Sequence, residues 1–276
     1  MFDDFEAYFH ENVMDSYRNY AKAKRRKIVE KSSDLRFALI AGSALYHLRE
    51  HLPNNKKQSF SSIVQLCPDY ELLGDIVNAS KHKILTQRRN SLIHSADDLT
   101  EEVISTTYKD RKGEYQHIEK EIFVKLKNGT ERIVFEVLTN VMNMWQDFLY
   151  KLELIKKIEP ITINKEKVPR RTKNSGRLDL RPIHGIRWKG KTRVQKYNYD
   201  TKKIEPEDLT NAEITMKIYK QTFTITPIMT NQKTGERFGF TVTIDTKQKK
   251  HLDKCATDIE CWTYLREIAI EQGVIK

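Results

Sequence analysis

The stretch Val103-Ile104-Ser105-Thr106-Thr107-Tyr108-Lys109-Asp110-Arg111-Lys112-Gly113 decides how the chain is read, because here the apolar pattern leaves the helical period. Its β-branched and aromatic residues predict a strand over 103–109, and Arg111-Lys112-Gly113 predicts a turn into a second strand over 118–126. Asn128-Gly129 is a two-residue turn signal leading into 131–135, so residues 102–135 read as a small antiparallel insertion.

On either side the period is helical. Phe5, Tyr8, Phe9, Val13, Tyr17 and Tyr20 recur at spacings of three and four and predict a helix over 4–29. Ser33 and Asp34 are placed to cap a second helix running to about residue 51, and Pro53 stops it. Within that helix, Ala41-Gly42-Ser43-Ala44 predicts a close crossing with a neighbour. A short helix over 61–66 ends at Pro68, and Asp69 can cap the next, over 70–83, which resumes through 86–95. After the insertion, Val137, Leu138, Val141, Trp145, Phe148 and Leu149 share one side of a helix over 136–154.

Residues 155–182 hold Pro160, Pro169, Pro182 and Asn174-Ser175-Gly176 without a sustained apolar period, which reads as a linker. Beyond it, strands are expected over 185–188, 192–199, 213–219, 223–229 and 237–244, the last two forming a hairpin, with a closing helix over 252–272. The expected class is therefore α+β: a helical bundle over 1–154 carrying the insertion 102–135, a basic linker over 155–182, and a small antiparallel sheet domain over 183–276 with a C-terminal helix.

The chain of 276 residues carries a formal charge of +11, with 32% charged and 38% hydrophobic residues, the balance of a folded soluble protein. Between residues 165 and 196 there are twelve Lys or Arg against Glu166 and Asp179, so nearly all the excess lies in one eighth of the chain. The opening Met-Phe-Asp-Asp-Phe-Glu lacks the features of a secretory leader, no apolar run is long enough to span a bilayer, and Cys67, Cys255 and Cys261 form no pairing framework. A cytoplasmic protein with no membrane partner, metal or cofactor is expected. Walker, dinucleotide-binding, GxSxG and kinase motifs are absent, and His47 and His51 at i, i+4 lack the glutamate of a metalloprotease helix.

Chemistry is first suggested by Arg88-Arg89-Asn90-Ser91-Leu92-Ile93-His94. Cleavage of RNA by its own 2'-hydroxyl needs a proton carrier and a cation for the phosphorane, with no metal, and His94 and Arg89 are of those types, with the Asn90 amide to position the phosphate. On an ideal helix Arg89 and His94 are about 140° apart, so one site requires the helix end to turn or a second subunit to contribute. The bland alternative is a solvated Arg89 and a His94 favoured by a helix C-terminus. With this Arg-Asn-x-x-x-His pattern in a helical bundle, residues 1–154 resemble the HEPN superfamily. That resemblance implies a metal-independent endoribonuclease of toxin or antiviral-defence type, acting as a homodimer, with Arg89, Asn90 and His94 as catalytic residues.

Asp75, Asn78 and His82 lie on one helix stripe with Lys81 beside it, and the segment resembles an Asp-x-x-Asn-x-x-Lys-His element of uncharacterised bacterial helical proteins. The stripe is either a buried network fixing helix packing or a support for His94. A third set, Arg170, Arg171, Arg187, Trp188, Lys189, Lys191, Arg193, Lys196 and Tyr197, with Tyr199 beyond it, combines clustered cations with rings on which bases can stack. RNA or another nucleic acid is the expected partner. The alternatives are a non-catalytic binding protein, an adaptor gripping an acidic protein, and a merely solvated linker.

Overall fold

The computed structural model describes residues 4–29, 33–82, 91–163, 168–180, 191–210, 222–230 and 234–275. The architecture is α+β, with N-terminal helices, a central strand-rich region and C-terminal helices, and the chain divides into two compact units, 1–208 and 209–276.

In the first unit, Asp4 caps α1 (Phe5–Tyr8) by accepting the Ala7 N–H at 2.7 Å. A π-helical segment, Phe9–Met14, carries the chain into α2 (Asp15–Arg25) and buries Phe9, Val13 and Met14. A two-residue strand β1 (Ile28–Val29) precedes α3 (Ser33–His47), which tightens into a 3-10 turn, Leu48–His51, before Pro53. Then come α4 (Phe60–Leu66) and α5 (Asp69–Lys81). The expected close crossing is present: a Cβ on Gly42 of α3 would stand 3.2 Å from Leu73 Cδ1 of α5. Two caps differ from expectation. The N–H of Leu35 near the start of α3 is taken at 2.9 Å by Glu101, and Asp69 accepts from Arg132 and Asn140 side chains instead of capping α5.

The insertion forms longer strands than its composition indicated, β2 (Leu99–Asp110) and β3 (Gly113–Lys125), followed by β4 (Glu131–Ile133) and α6 (Val134–Lys151). Ile122 and Val124 of β3 join the helical core around Trp145, Leu73, Leu138 and Tyr70, so the base of the hairpin is part of that core. Inside that core Trp145 Nε1 donates to Leu45 O at 3.0 Å, and Tyr17 and Thr139 share a hydroxyl hydrogen bond of 2.6 Å. The polar atoms of these three buried side chains thereby keep partners.

Residues 155–182 are not a free linker where they are described. Gln146 and Asn143, on α6, each form a two-way amide hydrogen bond with the chain, to the backbones of Glu159 and Ile161 respectively. Further on, Tyr115 Oη donates to Pro169 O, Ile118 N donates to Ser175 O at 2.8 Å, and β5 (Asp179–Leu180) pairs in parallel with β1. The chain then enters β6 (Lys191–Asn198), which pairs in parallel with β2, and β7 (Lys203–Pro206). The result is a five-stranded sheet of order β4-β3-β2-β6-β7. The division between units consequently falls after Asp208, not at 155–182.

The second unit contains β8 (Thr222–Ile225), β9 (Ile228–Thr230), β10 (Arg237–Gly239), β11 (Val242–Asp245), α7 (Thr246–Leu252) and α8 (Asp258–Glu271). The expected hairpin forms, with β8 on β11 and β9 on β10, interrupted on one arm at Pro227 where the ladder would need an N–H. The closing helix expected over 252–272 is corrected at its start, because Thr257 accepts the Glu260 N–H and begins α8, and a separate helix, α7, precedes it. Phe240, Val242, Ile244, Leu265, Ile268 and Ala269 form this unit's own core. The strands expected over 185–188 and 213–219 lie outside the described residues. Among the described residues, no helix is long and apolar enough to cross a membrane.

Candidate functional site

The Arg89-Asn90-x-x-x-His94 motif is described only at its histidine end, since 83–90 lie outside the described residues. Residues 91–95 are not helical, which corrects the expected helix over 86–95 at its C-terminal end. They form a turn held from every side: Ile93 is fully buried, Asp75 Oδ2 accepts the Leu92 N–H at 2.6 Å, Lys127 N donates to Leu92 O at 2.8 Å, and Lys127 Nζ reaches Ser91 Oγ at 2.7 Å. Asp98 accepts the N–H groups of His94 and Ser95, closing a capping box over Ala96–Asp98. The His94 side chain itself is exposed. A backbone held by these hydrogen bonds thus presents a solvent-facing imidazole.

The polar stripe divides. Asp75 is fully buried and serves the turn just described, whereas Lys81 and His82 are exposed and Asn78 is half-buried. Lys81 Nζ lies 3.4 Å from His47 Nε2, and His47 Nδ1 lies 3.0 Å from Glu50, while His51 stacks on Tyr8. Among the described residues, no group of three or more His, Cys, Asp or Glu is arranged to hold a metal ion.

The cationic set also divides. Arg187, Trp188 and Lys189 lie outside the described residues. Arg193 is committed to the sheet: its guanidinium bonds Glu102 at 2.8 Å and Glu131 at 2.9 Å and covers the Phe123 ring at 4.4 Å. Those two carboxylates hold the Arg193 pKa above its ordinary value, with the hydrogen bond to Glu102 first, and neutralise the charge a phosphate would meet. Lys191 and Lys196 are exposed, but strand alternation puts Lys196 on the face opposite Tyr197. Lys191 shares the face of Tyr197, six residues or roughly 20 Å away along the strand.

Arg170, Arg171 and Tyr197 do come together, around rings the sequence reading had not singled out. Tyr108 of β2 and Tyr115 of β3 face each other across the hairpin with centroids 5.8 Å apart. Tyr197 of β6 lies 5.6 Å from Tyr108, and Tyr199 meets Tyr197 edge-on at 4.9 Å. Arg171 stands 5.6 Å from the Tyr115 ring centre and pairs with Asp110 at 3.3 Å. Exposed Arg170, Lys109, Arg111 and Lys112 belong to the same end of the hairpin.

The rings differ in access. Tyr108 is 7% exposed and Tyr199 46%, and the Tyr199 hydroxyl is fixed between Lys109 N and Lys109 O at 2.7 and 2.6 Å, which anchors its ring to the end of β2. Burial, then the charge of Glu119, pushes the Tyr108 pKa up to about 12, which keeps the phenol neutral near pH 7. Strands over 103–109 and 118–126 were readable from sequence. Which strand would lie beside them was not, because the β2–β6 contact joins residues about ninety positions apart.

No family model matches the chain, and neither a curated protein nor a solved structure matches it, so the HEPN resemblance rests on the motif alone.

Proposed function

We propose that the first unit binds single-stranded nucleic acid, RNA foremost, at the tyrosine end of its sheet. The carrying observation is the cluster of Arg171, Tyr115, Tyr108, Tyr197 and Tyr199 from three strands and the cationic segment that follows α6. Guanidinium and ammonium groups at this end attract phosphates and release counterions, and the ring of Tyr199 offers an unpaired base a surface to stack on. Duplex bases, stacked on one another, cannot use that ring. Titrating a labelled single strand against the full chain tests the reading: Tyr199→Ala weakens binding about tenfold, in line with a stacked base, while the duplex of the same sequence binds no more tightly than the variant does. Equal affinity of wild type and Y199A for the single strand overturns it.

A second reading, metal-independent RNA cleavage as a dimer, is favoured by one observation, the exposed His94 imidazole on a turn held by Asp75, Ile93, Lys127 and Asp98. In it His94 moves the proton, Arg89 faces the phosphorane charge and Asn90 positions it. His94→Ala then abolishes cleavage in the presence of a chelator and leaves binding intact. A chain that binds RNA and never cuts it removes this reading and leaves the first standing.

A further inference from the structure

The second unit holds a pair of thiols that neither reading uses. Cys255 sits in the turn between α7 and α8, and Cys261 in the first turn of α8. Their sulfurs point at consecutive carbonyls at the end of α7: Cys255 Sγ lies 3.7 Å from His251 O and Cys261 Sγ 3.9 Å from Leu252 O. Both side chains are partly exposed, unlike Cys67, which is buried in the core of the first unit. The thiols also sense each other, since desolvation and then the Cys261 thiol raise the Cys255 pKa above its ordinary value.

We propose that Cys255 and Cys261 form a reversible disulfide that staples the end of α7 to the start of α8. The turn between them is held by backbone hydrogen bonds, Cys255 N to Leu252 O at 3.1 Å and Cys261 N to Thr257 O at 3.1 Å, with Ala256 N held by Glu260. Forming the bond requires the two side chains to turn from these carbonyls toward each other, with their Cα atoms within the reach of a disulfide. The oxidant is a small-molecule disulfide such as oxidised glutathione. One cysteine, as the thiolate after losing its proton to solvent, attacks a glutathione sulfur; the S–S bond of glutathione breaks and one glutathione leaves and is protonated. The second cysteine thiolate attacks the protein-side sulfur of the mixed disulfide and expels the second glutathione. Two protein thiols are oxidised and one small disulfide is reduced to two thiols.

Such a staple acts on the helix pair that covers the core built from Phe240, Ile244, Leu265 and Ile268, with Leu252 and Trp262 packed against it, so oxidation stiffens that cover. The test is intact mass and thiol titration of the full chain after oxidised glutathione. The wild-type chain loses two hydrogens, its titre under denaturing conditions falls from three thiols to one, and digestion links the peptides of Cys255 and Cys261. Cys255→Ser instead keeps one glutathione on Cys261, because nothing expels it. A wild-type chain that retains the glutathione adduct, forms a disulfide-linked dimer, or keeps three free thiols overturns the proposal.

Discussion

Gln146, 1% exposed within α6, closes a two-way hydrogen bond on the backbone of Glu159, donating to its carbonyl at 3.1 Å and accepting its N–H at 2.7 Å. Asn143, one turn earlier, does the same for Ile161 at 2.9 Å in both directions. A side-chain amide here takes the place of a neighbouring strand. The proline-containing segment that leads to the cationic stretch is thereby laid along α6 before it reaches Tyr115.

Gln146→Ala leaves two backbone groups of Glu159 to find water and removes a buried amide. We expect a loss of about 2 kcal/mol in denaturant unfolding, together with faster amide hydrogen exchange at Glu159 than at the core of α6. Unchanged exchange at Glu159 would show that the segment is held by other contacts.

Glu121 makes the stability of the first unit depend on pH. Burial raises its carboxyl pKa to about 7 from an ordinary 4.5, even though Lys24 forms an ion pair with it, and Glu119 and Glu136 add to the rise. Its second oxygen, Oε2, is buried without a hydrogen-bond partner among the described residues. Because the folded protein holds this proton more tightly than the unfolded chain, its contribution is most favourable below about pH 4.5 and is lost as pH rises through about 7. Glu121→Gln removes the titration. Thermal unfolding across that window should show the wild type falling relative to E121Q by on the order of 2 kcal/mol, and parallel profiles would contradict the assignment.

Arg193 separates structural from phosphate-binding cations. Its partner Glu102 has a side chain only 2% exposed, so Arg193→Ala strands a buried carboxylate and costs roughly 3 kcal/mol of stability. Single-strand affinity, measured below the unfolding transition, stays within about twofold of wild type, since the charge was already neutralised. A tenfold loss of affinity would return Arg193 to the binding surface.

Much of the N-terminal half was legible because its punctuation is local. Pro53 and Pro68 end helices where expected, Gly42 marks the α3–α5 crossing, and Lys112-Gly113 and Asn128-Gly129 place both turns of the antiparallel segment, with φ of +104° and +85° at the glycines. What escaped the reading is set by distant partners. Nothing near Leu35 announces that Glu101 will accept its N–H, and nothing in 155–180 announces Gln146, Asn143 and Ile118 as anchors. The later start of the final helix was legible in principle, since Thr257-Asp258-Ile259-Glu260 is a capping sequence. For the site, cation-rich composition pointed to Arg170, Arg171 and Tyr197, while Tyr108 and Tyr115 look like ordinary strand residues until β6 is laid beside β2.

The most direct test of the central claim is the salt dependence of single-stranded RNA binding by the full chain and by the double variant Arg170→Glu and Arg171→Glu, followed by fluorescence anisotropy. The account predicts at least about a tenfold weakening at moderate salt and a logarithmic salt slope shallower by about 1, as phosphate contacts are lost. Superimposable curves for wild type and variant would mean that nucleic acid, if bound at all, does not lie across Arg171 and Tyr115.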